Sequence, residues 1–74
     1  MTSKTAKLLL LGNNLKKARK QRGLSQNALA EILDISREHL AKVETAKRTV
    51  SLSLLFEICD NLNVSEKDLF NFDD

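Results

Sequence analysis

Between Ser25 and Glu44 the chain reads SQNALAEILDISREHLAKVE. Apolar residues fall there in two short groups at helical spacing, parted by Asp34-Ile35-Ser36. The pattern predicts two short helices joined by a tight turn. Ser25 can cap the first, which would bury Ala28, Leu29 and Ile32. Ala30 is small where the two helices should cross. Ser36 can cap the second, whose apolar face is Leu40 and Val43. Upstream, Leu11, Leu15 and Ala18 predict a helix from about Leu8 or Asn13 to Gln21, with Met1 to Lys7 loose before it. Gly12 is an awkward residue inside it, and Gly23 can close it with positive φ. Lys16, Lys17, Lys20 and Arg22 would decorate its exposed side. Downstream, Ser51 or Ser53 begins a helix with Leu52, Leu55, Phe56, Cys59 and Leu62 inward. Leu54 and Ile58 form a second apolar strip that a monomer need not bury, and Asn63 fits the end. Ser65-Glu66-Lys67-Asp68 resembles a capping box opening a short fifth helix that ends in Leu69 and Phe70. The fold expected is all-α: five helices around one core in a single domain over residues 1–74. Its core would cover about 8–70, with 1–7 and 71–74 as tails.

Composition narrows this further. With 74 residues there is room for one small domain, which buries only about 60% of its unfolded surface and is marginal unless a partner helps. Proline is absent and glycine occurs twice, which favours helices. A single cysteine, Cys59, excludes an internal disulfide and a cysteine metal cage, and reads as a small buried apolar residue. The leucines at 8–11 are too short a run for a signal peptide or a membrane span, so a cytoplasmic location is expected.

The net charge of +2 hides an asymmetry. Residues 1–48 carry 11 Lys and Arg against 4 Asp and Glu, a net of +7. Residues 49–74 carry 1 against 6, a net of −5. The basic part holds the two-helix motif, and such a face suits a polyanion. Arg37, Glu38, Ala41 and Lys42 fall mostly off the apolar face of the second helix of the pair. A short helix with long polar side chains on its free face, braced from behind, has the form of a DNA major-groove reader.

Ser25-Gln26, Leu29-Ala30, Ile35-Ser36, Leu40 and Val43-Glu44 form an ordered set, continued by Ser51-Leu52 and Leu62-Asn63-Val64. In that order and spacing they resemble the lambdoid phage-repressor and Cro type of helix-turn-helix, also called the xenobiotic-response-element type. The resemblance covers roughly residues 11 to 70. It implies a compact five-helix, lambda-repressor-like domain that binds double-stranded DNA. Arg37 and Glu38 would face base edges, with Ala41 and Lys42 one turn on. Arg37 or Lys42 suits guanine O6 and N7, Glu38 suits cytosine N4, and Ala41 a thymine methyl. Gln26 would clamp a phosphate at the start of its helix, assisted by Asn27 and Ser36. Lys47, Arg48 and Thr49 would donate to phosphates beyond the other end of the recognition helix. Arg19 falls where the family has an arginine paired with the glutamate that matches Glu44. The chain departs from the pattern at three positions: Asp34 where a turn glycine is usual, Ala46 where another glycine is usual, and Val50 where a proline is usual.

Each of these groups also has a plainer reading. Arg37, Glu38 and Lys42 can be a solvated face with Glu38 paired to Lys42, and Arg19 and Glu44 two exposed charges. His39 is a lone histidine with no metal or catalytic role. No nucleophile–base pair, metal-ligand cluster or glycine-rich phosphate loop is present, so an enzyme is not expected and no cofactor is implied. One domain offers few base contacts, and such domains commonly act as dimers on half-sites about 34 Å apart. Leu54, Ile58, Phe70 and Phe72 are the surplus apolar residues expected to form a homodimer interface. The alternative is that Phe70 and Phe72 fold over the domain's own core. Glu57, Asp60 and Glu66 form an acidic patch that could touch RNA polymerase, though solvated surface is the simpler reading. The rival to a DNA-binding regulator is a protein-interaction module, or an antitoxin component built on the same core. Similar stand-alone domains serve as phage repressors, as controllers of restriction–modification genes and as autoregulators.

Overall fold

A computed structural model describes residues 3–72; the outermost residues of both expected tails lie outside them. Five α-helices follow in order: α1 Lys4–Gln21, α2 Gln26–Leu33, α3 Arg37–Glu44, α4 Leu52–Leu62 and α5 Glu66–Leu69. No strand occurs among the described residues. Every helix starts the same way. Ser3, Ser25, Ser36, Ser51 and Ser65 each hold an extended backbone, and each side-chain oxygen accepts from the N–H three residues on. One otherwise orphaned donor is satisfied each time.

Four helices also end alike. Leu24 N–H donates to Arg19 O, Ile35 N–H to Ala30 O, Lys47 N–H to Lys42 O, and Val64 N–H to Cys59 O. This is the Schellman closure, which needs a left-handed residue just past the helix. That residue is Gly23, Asp34, Ala46 and Asn63 in turn, with φ between +54° and +71°. Glycine, aspartate and asparagine tolerate this backbone, while alanine is strained there.

The core gathers Leu11, Leu15 and Ala18 from α1 with Leu29, Ala30 and Leu33 from α2. Leu40 and Val43 come from α3, five residues from α4, and Leu69 from α5. α3 packs on both α1 and α2, α4 packs on α2, and α5 on α1. Side-chain bonds from α1 secure the C-terminal part. Arg22 Nε donates to Leu62 O at 2.6 Å and its Nη2 to Asn63 O at 3.0 Å, so Arg22, exposed as expected, also caps the end of α4. Asn14 Nδ2 donates to Leu69 O at 2.8 Å and to Asn71 O at 3.2 Å.

Several expectations need correction. α1 begins at Lys4, not at Leu8 or Asn13, because Ser3 caps it. In α2 the buried set is Leu29, Ala30 and Leu33; Ala28 is half-buried and Ile32 is exposed. In α4 the inward set is Leu54, Leu55, Ile58, Cys59 and Leu62, while Leu52 and Phe56 face out. Leu54 and Ile58, expected at a dimer interface, therefore belong to the domain's own core, with Ile58 fully buried. Phe70 is exposed. Phe72 packs partly on the core, and its ring meets that of Phe70 edge-on with centroids 6.0 Å apart.

Gly12 acquires a reason that its own helix does not supply. A Cβ there would lie 2.5 Å from the Glu44 carbonyl oxygen and 2.8 Å from that of Val43. The missing side chain lets the end of α3 lie directly on α1.

Candidate nucleic-acid interface

α3 has one buried side, carrying Leu40, Val43 and Glu44. The opposite side carries Arg37, Glu38 and Lys42, all exposed, with Ala41 and His39 half-buried. Helical spacing stacks Arg37 above Ala41 and Glu38 above Lys42. The expected alternative pairing of Glu38 with Lys42 does not form: among the described residues the ion pair found is Arg19–Glu44. The free face of α3 therefore holds its charges uncommitted.

The buried face is pinned by that ion pair. Arg19 Nε donates to Glu44 Oε2 at 2.7 Å, and Nη2 donates to Oε1 at 3.2 Å. The side chains are 6% and 1% exposed. The two parallel bonds form a fork-to-fork clamp between α1 and α3. Arg19 Nη1 donates to Leu24 O at 2.6 Å, which also fixes the turn before α2. Gln26, the first residue of α2, joins the cluster: its Nε2 donates to Glu44 Oε1 at 3.0 Å. This contact was missed in the sequence, although Gln26 and Glu44 were each singled out.

Asn27 beside it is exposed. Ser36 is exposed too, with its Oγ engaged by His39 N–H as the cap. Beyond α3, the closure at Ala46 turns the chain sharply. Lys47 N–H and Arg48 N–H both donate to Lys42 O, at 2.8 and 3.2 Å. Thr45 Oγ1 donates to Ala41 O at 2.8 Å. Lys47, Arg48 and Thr49 are exposed on this loop. The structure thus brings Gln26 to α3 through Glu44 and holds Lys47 and Arg48 against its last turn. It leaves Phe70 and Phe72 elsewhere, against α1, where they line an open groove with Lys4, Lys7, Leu8 and Leu11.

The family pattern agrees with this geometry. A family model described as Helix-turn-helix (HTH_3) matches residues 15–69. The chain belongs to this helix-turn-helix family. The Control protein C.MunI of Mycoplasma sp. is 39% identical over 61 residues, covering 81% of this chain and 82% of that protein. Antitoxin PezA of Streptococcus pneumoniae is 38% identical over 64 residues, covering 86% of this chain; the chain spans only 40% of PezA. Among solved structures, the restriction-modification controller protein C.AhdI of Aeromonas hydrophila superposes with a TM-score of 0.82 at 32% identity. That match covers 88% of this chain and 98% of the other.

No group of three or more His, Cys, Asp or Glu among the described residues is arranged to hold a metal. No helix among them is long and apolar enough to cross a membrane. Cys59 is buried, and its thiol is pushed up to about 11 by burial and then by the Glu66 carboxylate. It stays a neutral packing group at ordinary pH.

Proposed function

We propose that this chain is a sequence-specific double-stranded DNA-binding regulator of transcription, a repressor or autoregulator that binds an inverted-repeat operator as a homodimer. The observation that carries this is the uncommitted face of α3, with donors flanking it on both sides. Arg37, Glu38, Ala41 and Lys42 read base edges in the major groove. Gln26 and Asn27 at the start of α2, with Ser36, grip the phosphate backbone on one side. Lys47, Arg48 and Thr49 grip it on the other. The likeness to two proteins named as controllers supports a binding role over an enzymatic one.

For the dimer, Leu54 and Ile58 give way to the residues actually exposed on α4. Leu52 and Phe56 lie one turn apart on its outer face, 69% and 50% exposed, and form an apolar pair for a second copy. Sedimentation at micromolar concentration is expected to show a dimer that Phe56→Asp dissociates. A monomer throughout would sink the dimer.

Selection from a random duplex pool at moderate salt tests the function directly. An inverted repeat should emerge. A lone half-site would retain DNA binding and remove the symmetric dimer. No enrichment would favour the protein-interaction role, for which the likeness to an antitoxin is the supporting observation. Two variants then divide the labour. Arg48→Ala should weaken binding to all sequences alike and lower the salt slope by about one unit. Arg37→Ala should cost about 1–3 kcal/mol and relax one base position. Identical behaviour of the two in a salt titration would overturn this assignment.

A further inference from the structure

We infer that Glu44 is a positioning residue for DNA binding: it fixes the side-chain amide of Gln26 so that one N–H is held inward and the other is presented to a backbone phosphate. The inference rests on the DNA-binding role proposed above and adds a task to a residue otherwise explained by the fold. Gln26 sits half-buried at the first position of α2, and its Nε2 lies 3.0 Å from Glu44 Oε1. A free glutamine can turn either its oxygen or its nitrogen toward a neighbour. Here only one orientation works. Glu44 forms a bidentate pair with Arg19 in which both carboxylate oxygens act as acceptors. An amide oxygen facing it would set acceptor against acceptor. The –NH2 group must face Glu44, and that group has two hydrogens. One is used on Oε1; no second bond from Nε2 is formed within the chain.

The remaining N–H points away from the buried carboxylate, on a residue held by the α1–α3 clamp. A phosphate oxygen, also acceptor-only, is the chemical complement of such a donor. Fixing it before binding removes the rotamer entropy that a free glutamine would lose on contact. The donor is neutral, so its contact displaces no counterion. That separates Gln26 from Arg48, whose contact does.

Side-chain amide resonances of Gln26 test this in the free protein and with a duplex of about 20 base pairs at low salt, where binding needs no known operator. In the free protein one of the two protons should be displaced from the ordinary glutamine position and protected from exchange with water. On adding duplex, the second should shift together with backbone amides of α3. Two protons at ordinary glutamine positions, neither protected from exchange, would overturn the role of Glu44. A response of α3 without Gln26 would overturn the inference and leave DNA binding standing. No response anywhere would overturn both. Gln26→Met, which keeps the length but removes the donor, should bind roughly tenfold more weakly with an unchanged log–log salt slope. Unchanged affinity, or a lowered slope, would count against the inference.

Discussion

The two ends of α3 are held in opposite ways. Its first turn is held by local bonds to Ser36 alone, from His39 N–H to Oγ and from Leu40 N–H to the carbonyl, and leaves Arg37 and Glu38 in solvent. Its last turn is enclosed: Gly12 admits its backbone against α1, and Arg19 and Gln26 grip the Glu44 carboxylate. The difference separates tasks along eight residues of helix. The closed end sets where the helix lies, so the open end can carry side chains chosen for a ligand rather than for stability.

The largest effect should come from breaking the closed end. Glu44→Ala would leave the Arg19 guanidinium buried with only the Leu24 carbonyl as a partner, a loss of about 3–5 kcal/mol in urea unfolding. A loss under about 1 kcal/mol would mean that the pair is solvated in solution, as an exposed bridge is.

Gly12→Ala ranks next. Alanine raises helix propensity by about 1 kcal/mol, but its Cβ would collide with backbone oxygens, which cannot swing aside as a side chain can. A clash with backbone this close belongs at the upper end of the overpacking range of about 1–3 kcal/mol, so the net should be a loss of about 2 kcal/mol. A higher melting temperature would show instead that α1 and α3 can part freely.

Ala46→Gly should act in the other direction. It relieves a left-handed alanine just beyond the closed end, for a gain of about 1 kcal/mol and a rise of about 4–8 °C in a domain this small. Asp34, left-handed on the other side of α3, should gain less from the same change, since aspartate already tolerates that geometry. Equal gains at both positions would remove the distinction. The smallest effect belongs to the open end: Arg37→Ala should leave thermal stability within about 0.5 kcal/mol while weakening DNA binding.

What the sequence made legible was local or set by spacing. Ser25 and Ser36 mark their helices by chemistry confined to three residues, and Gly23 and Asn63 mark two endings in the same way. Leu11, Leu15 and Ala18 could face only one way. Register failed where apolar residues were too many. Seven of the eleven residues of α4 are apolar, so two overlapping stripes fit the period; the expected one shares Leu55, Cys59 and Leu62 with the core, while its Leu52 and Phe56 face out. α2 has the same ambiguity, with Ile32 taking the place of Leu33. Contacts between distant residues were harder still. Gly12 looked like a flaw because its reason lies 32 residues away at Glu44. Arg22 is the surface charge that its spacing predicts, but its capping role was hidden because the carbonyls that it caps belong to another helix. The alignment of Arg19 with Glu44 came from family resemblance, and no spacing rule would have found it.

Asn14 and Arg22 each tie α1 to backbone far along the chain, 55 residues on at Leu69 and 40 residues on at Leu62. On a ribosome that order of synthesis matters. α1 emerges before its partners, and Asn14 and Arg22 have nothing to hold until the last two helices follow. The α2–α3 pair closes early because its loop is short, while the closure onto α1 costs more chain entropy and comes late. The nascent segment therefore carries Asn14 and Arg22 without their carbonyl partners until α4 and α5 have been made.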